Sequence, residues 1–179
     1  MVAQPVVSLG AVERLNRARL ALEAVTDPEI PVVTIAELGI LRDVQIDEAG
    51  MLVATITPTY SGCPAMGQIA DDVSRALQAA EVGTYRVRSV LSPAWTTDWI
   101  TAEGHRKLRD FGIAPPAHMV TVGEARPIRL MRPAQAEHIA CPQCGSQDTV
   151  LISAFGSTAC KALYRCRACR EPFDYFKPY

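Results

Sequence analysis

The sequence predicts an α+β protein: a small α/β sandwich followed by a short β module stapled by cysteines. Three observations carry this. Over residues 1–113, runs with helical period alternate with strand-like runs in the order α-β-β-α-β-α, the pattern of helices covering a three-stranded sheet. Residues 114–137 are punctuated by prolines and form a connector. Five of the six cysteines and six of the 11 aromatic residues then crowd residues 138–179, a segment too short to stabilise itself by burial alone.

The elements follow in order. Ala11, Val12, Leu15, Ala18, Leu22 and Val25 share a helical face, Ser8 is the expected N-cap, and Thr26-Asp27-Pro28 stops the helix. Asp27-Pro28-Glu29-Ile30-Pro31 is a stiff loop with two prolines. Ile40–Ile46 and Met51–Thr57, joined by Asp47-Glu48-Ala49-Gly50, read as a hairpin. A second helix follows Cys63-Pro64, with Ile69, Val73, Leu77 and Ala80 on one face, and Gly83 ends it. Tyr85–Leu91 reads as the third strand. Both tryptophans, Trp95 and Trp99, lie in the loop after it, and a short helix from Thr101 to Phe111 has Gly112 at its end. In the connector, Met119–Val122 is a candidate short strand. In the last module, Thr149–Phe155, Ala162–Arg165 and Phe173–Phe176 are strand-like.

Composition excludes several classes. With 179 residues, 49% hydrophobic and 21% charged, the chain is globular rather than disordered. No apolar run reaches the ~18–20 residues a bilayer span needs, and the opening MVAQPVVSLG has neither the basic nor the apolar region of a secretory signal. No membrane association and no export are therefore expected. Lys+Arg numbers 18 against Asp+Glu 19, which leaves no large basic footprint for nucleic acid.

Cys141-Pro142-Gln143-Cys144 and Cys166-Arg167-Ala168-Cys169 are two CxxC knuckles with 21 residues between them. Each knuckle sets two thiolates on one side of a tight turn, and two facing knuckles complete a tetrahedron, so the spacing predicts a structural zinc ribbon. Rubredoxin-like iron, an Fe–S cluster and disulfides are the alternatives. Cys160 reads either as a small buried residue or as a fifth thiolate helped by Lys161. Pro64 suits a first helical position, which would make Cys63 the N-cap, where backbone N–H groups and the helix dipole favour a thiolate. The alternative is a buried cysteine closing the sheet–helix junction. Asp27 and Glu29 read either as part of a helix stop or as a carboxylate pair facing Cys63. Trp95 and Trp99 would then bound the same cleft, or else anchor the core. His105, His118 and His138 show no ligand spacing, and no nucleotide, P-loop, metalloprotease or serine-hydrolase motif is present.

Two resemblances join these motifs. The run from Asp27-Pro28-Glu29 to Leu38-Gly39, the loop Thr59-Tyr60-Ser61-Gly62-Cys63-Pro64 and the later Pro93-Ala94-Trp95 together resemble the SufT-like metal–sulfur cluster assembly family over roughly residues 11–113. The stretches Phe155–Cys166 and Glu171–Lys177 resemble the PaaD (also called PaaJ) family of the phenylacetyl-CoA epoxidase system. The resemblance implies a cytoplasmic protein of aerobic phenylacetate breakdown, whose partners are a di-iron oxygenase and an Fe–S flavoprotein reductase. This chain carries no Glu-x-x-His pairs on long helices and no flavin or nicotinamide fingerprint, so it is expected to be neither of those. The expected function is an accessory one that is not itself catalytic: assistance with iron or Fe–S assembly, with Cys63, Asp27 and Glu29 as candidate functional residues. In that reading the structural zinc sits on Cys141, Cys144, Cys166 and Cys169, and iron or an Fe–S cluster is held only in passing. The alternatives are a stoichiometric structural or regulatory subunit, and a zinc-ribbon nucleic-acid binder using Lys161, Arg165, Arg167 and Arg170. The latter is disfavoured by the overall charge.

Overall fold

The computed structural model describes residues 9–116 and 139–178. Ser8, His118, Met119–Val122 and His138 lie outside the described residues.

Helix α1 (Leu9–Glu23) buries Ala18 and Leu22 and packs on β1 (Leu41–Ile46) and α2 (Met66–Ala79). It stops at Glu23 rather than at Val25, whose N–H bonds the Leu22 carbonyl at 3.2 Å while its own carbonyl accepts from Ile35. Arg14 fastens α1 to the sheet end by donating to the carbonyls of Gly50, Val82 and Thr84. β1 pairs antiparallel with β2 (Leu52–Ile56), and the Asp47 side chain caps the turn between them by accepting from Ala49 and Met51. β2 is central and wholly buried, so its Leu-Val-Ala-Thr-Ile sequence needs no alternation. α2 buries Ile69, Val73 and Leu77 and packs on β3 (Tyr85–Ser89), which lies parallel to β2. The sheet has the three expected strands, in the order β1-β2-β3.

A single 3-10 turn (Thr97–Trp99) leads to α3 (Ala102–Asp110). The chain divides into two compact units inside α3: the first reaches Trp95 and takes in Trp99–Gly104, and the second takes Thr96–Asp98 and His105 onward. The second unit holds a four-stranded sheet ordered β4-β7-β6-β5. β5 (Thr149–Ser153), β6 (Lys161–Cys166) and β7 (Pro172–Phe176) form an antiparallel meander close to the predicted strands. β4 (Ile113–Ala114) pairs parallel with β7, so residue 113, the expected end of the first domain, is a strand of the second sheet. Two residues give no period to read. The core here is Ala114, Ile139, Cys141, Ala162, Cys166, Phe173 and Tyr175. Tyr164 packs against it, stacked on Phe173 at 5.9 Å and edge-on to Tyr175 at 5.6 Å.

Candidate functional site

The first cysteine environment is built by two loops of the first unit. Asp27 is 7% exposed, and its Oδ1 accepts from the N–H groups of Glu29 (2.9 Å) and Ile30 (2.8 Å). Its own N–H donates to Val33 at 2.9 Å, so the two-proline loop is pinned at both ends. Just beyond, Thr34 and Glu37 form a reciprocal capping box, each N–H bonded to the other's side chain. Glu29 is half-buried.

Cys63 lies on the loop between β2 and α2. Its placement corrects one expectation. The helix begins at Met66 with Ala65 as its cap residue, so Cys63 is not the N-cap and Pro64 is not the first helical residue. The chain turns first through Cys63 N–H to Tyr60 O (3.1 Å), and the first helical bond is Ile69 N–H to Ala65 O (2.9 Å). The thiolate expectation is corrected with it. Burial pushes the Cys63 thiol above its ordinary range. The Ala65 N–H and the Thr59 hydroxyl stabilise the anion, but Glu29 and Asp27 repel it, and the net direction is up. Cys63 is thus a half-buried protonated thiol at neutral pH, within electrostatic reach of both carboxylates. Thr59, which the sequence offered only as a letter of the Cys63 loop motif, is buried beside it and joins the site.

The tryptophans have separate partners. Trp95 is 5% exposed and donates from Nε1 to Leu38 O at 2.9 Å. The Arg42 guanidinium sits 3.3 Å from the Trp99 ring centroid. Gly39, at φ +70°, backs onto Trp99: a Cβ there would lie 2.6 Å from the Trp99 Cβ. Of the two roles open to them, cleft wall or anchor, these contacts assign the anchor, with the Leu38-Gly39 pair as its socket.

The second environment is the pair of knuckles. The sulfurs of Cys141, Cys144, Cys166 and Cys169 all lie within 4.8 Å of one another. Cys141 Sγ is 3.7 Å from Cys169 Sγ, and Cys144 Sγ is 3.6 Å from Cys166 Sγ. A tetrahedron with metal–sulfur bonds of ~2.3 Å has edges of about 3.8 Å, so the donor set fits a closed four-thiolate metal centre. In the first knuckle Gly145 N–H bonds Cys141 O at 2.8 Å, and in the second Cys169 N–H bonds Cys166 Sγ at 3.4 Å. That Cys169 N–H, with further hydrogen bonds from Cys169 and Cys144, lowers the Cys166 thiol to about 6 against the opposing effect of burial. The Glu171 N–H stabilises a thiolate at Cys169, yet burial and its cysteine neighbours push that thiol up to about 12. Sulfurs this close cannot all ionise without a cation between them. The arrangement has the donor set of a structural metal centre.

Cys160 stands outside this centre. It is buried, with its sulfur 2.9 Å from Thr158 Oγ1, and Lys161 is committed to an ion pair with Asp174 at 3.4 Å. His105 is buried on α3.

Comparison with known proteins finds matches to the segments that carry both environments. Residues 15–91 match a family described as iron-sulfur cluster assembly protein, and residues 126–177 match the PaaD zinc beta ribbon domain. Over 79 residues the chain is 44% identical to the Fe-S protein maturation auxiliary factor YitW of Bacillus subtilis, covering 44% of this chain and 76% of that protein. It is 36% identical to a crystal structure of a domain of unknown function, DUF59, from Bacillus anthracis, covering 54% of this chain and 92% of that one with a TM-score of 0.49. It is also 46% identical over 156 residues to a putative subunit of the 1,2-phenylacetyl-CoA epoxidase of Escherichia coli, covering 87% of this chain and 88% of that protein. Spanning both the sandwich and the cysteine module at that identity, the chain belongs to the PaaD family of 1,2-phenylacetyl-CoA epoxidase subunits.

Proposed function

We propose that this chain is a cytoplasmic maturation component of a phenylacetyl-CoA epoxidase system, acting before turnover by assisting iron or Fe–S assembly in the oxygenase or the reductase. The observation that carries this reading is Cys63 held among Asp27, Glu29 and Thr59, inside the segment matched to iron-sulfur cluster assembly proteins. A thiol raised by burial and by two carboxylates stays protonated while no metal is present. An arriving ferrous ion reverses the balance: the Cys63 proton leaves to solvent, a sulfur–iron bond forms, and the carboxylates that opposed the bare thiolate now offset the positive charge. One thiol flanked by carboxylates does not fill the coordination shell, so the iron can be passed on to a more complete donor set. Zinc held by Cys141, Cys144, Cys166 and Cys169 gives the second unit its fold, and that unit docks the recipient.

The test is co-expression of the oxygenase and reductase with this chain or with Cys63→Ala, followed by iron, sulfide and activity measurements on the purified partners. Cys63→Ala is expected to fold, with a cost of about 1 kcal/mol, and to leave the partners metal-poor. Already metallated partners are expected to work without this protein. The Escherichia coli relative is named as a subunit of the epoxidase, which favours a second reading, a stoichiometric accessory of the complex. That reading wins if fully metallated partners still require the chain and Cys63→Ala satisfies the requirement.

A further inference from the structure

The two knuckles share a left-handed residue after the second cysteine and differ in charge. That residue is Gly145 at φ +74° in the first and Arg170 at φ +70° in the second. Glycine adopts that conformation freely and arginine does so at a cost. The first knuckle, Cys141-Pro142-Gln143-Cys144-Gly145, carries no charge, whereas arginine stands at positions 165, 167 and 170 of the second. These three exposed side chains and Cys166 line one groove of about 330 Å³. Arg167 has a carboxylate partner, Asp148, at 3.7 Å, but both side chains are more than half exposed and the pair is weak. Arg165 and Arg170 have none among the described residues. Beside the groove runs β5, the outer strand of its sheet, with Val150 opposite Arg165 and with Leu151 and Ile152 about half exposed.

We propose that this arginine groove, with the apolar β5 edge beside it, is the surface on which the second unit docks an acidic segment of its protein partner. This rests on the maturation reading and names the surface that reading requires. Guanidinium groups favour carboxylates through paired, charge-assisted hydrogen bonds. The adjoining apolar strand fits a polypeptide that carries leucine-like side chains between its acids. A nucleic acid would need a broad basic face, which a chain of net charge −1 does not offer. Arg170 keeps a backbone conformation made for glycine because its charge is used.

The test uses the full-length zinc-loaded protein and a fluorescent ten-residue peptide of alternating glutamate and leucine, read by anisotropy. The peptide is expected to bind at low ionic strength and to weaken as salt rises to about 0.15 M. The triple variant Arg165→Glu, Arg167→Glu, Arg170→Glu is expected to weaken binding at least about tenfold with zinc content intact. Arg170→Gly is the sharper arm, and it decides the matter if the triple variant loses zinc. It is expected to raise the melting temperature while weakening the peptide, a combination that a merely structural arginine would not give. Binding of the triple variant within twofold of the parent overturns the proposal. So does equal binding of a lysine–leucine peptide, or preference for inorganic phosphate or a single-stranded oligonucleotide over the acidic peptide. The metal content of partners matured with Cys63→Ala is independent of these outcomes, so docking can fail while maturation stands.

Discussion

Around Cys141, Cys144, Cys166 and Cys169, the four sulfurs lie within 4.8 Å of one another and two knuckle turns aim them inward. Around Cys63, one sulfur meets a threonine hydroxyl and the fields of two carboxylates. Cysteine stands in opposite surroundings in the two places. In the knuckles four sulfurs form a complete soft donor set, with the Cys166 thiol drawn down to about 6 and the Cys169 thiol pushed up to about 12. In the loop the surroundings keep the thiol protonated. On the proposed maturation reading, the complete shell would keep its ion and stabilise a fold, and the incomplete one would pass an ion on.

The comparison breaks most sharply on the knuckle side. Cys144→Ser removes one of four donors, where structural zinc binding in isolated peptides supplies about 10–16 kcal/mol. The expected outcome is loss of stoichiometric zinc and of the near-ultraviolet signal from Tyr164, Phe173 and Tyr175, with the far-ultraviolet signature of α1 and α2 retained. Full zinc occupancy in that variant would refute the ligand set. A smaller effect sharpens the loop side. Glu29 raises the Cys63 thiol, so Glu29→Gln should lower it, increase the thiolate fraction near pH 7 to 8, and speed iodoacetamide labelling of Cys63 by about two- to tenfold. In the parent protein labelling should rise with pH to values above the ordinary thiol range. Peptide mapping reads both, and an unchanged rate in Glu29→Gln would remove Glu29 from the site. The smallest effect concerns the scaffold. Trp95→Phe takes the donor from Leu38 O, leaving a buried carbonyl unsatisfied at a cost of about 1–3 kcal/mol. Thermal melting should register it without altering zinc content.

What the sequence made legible follows from how local each signal is. The CxxC spacing and the Thr149, Ala162 and Phe173 runs located the knuckles and three strands, because a knuckle is specified by four consecutive residues and a strand by its period. The Leu38-Gly39 pair was visible as letters, but its reason, the close approach of Trp99, comes from 60 positions away. Pro64 pointed to a helix start, yet the turn from Tyr60 to Met66 places it before the helix, a choice made by hydrogen bonds rather than by proline's preference. The sign of the Cys63 shift was illegible for the same reason: it sums burial with carboxylates from a loop more than thirty residues upstream, and Thr59 joins only once β2 has ended beside it.

Pairing Ile113 with Asp174 and Ala114 with Tyr175 ties off a loop of about sixty residues with only two rungs of backbone. Closing so long a loop costs several times the thermal energy, which two rungs cannot offset on their own. Those rungs exist because β7 is already held flat by β6, and β6 by the sulfurs at its end. The amide protons of this short strand therefore become a remote gauge of the metal: slow to exchange while the knuckles are loaded, and as fast as an unfolded peptide's once a chelator empties them. A fragment cut to begin at residue 126, where the ribbon match starts, would lack the strand and bare one side of β7, inviting another chain to take its place.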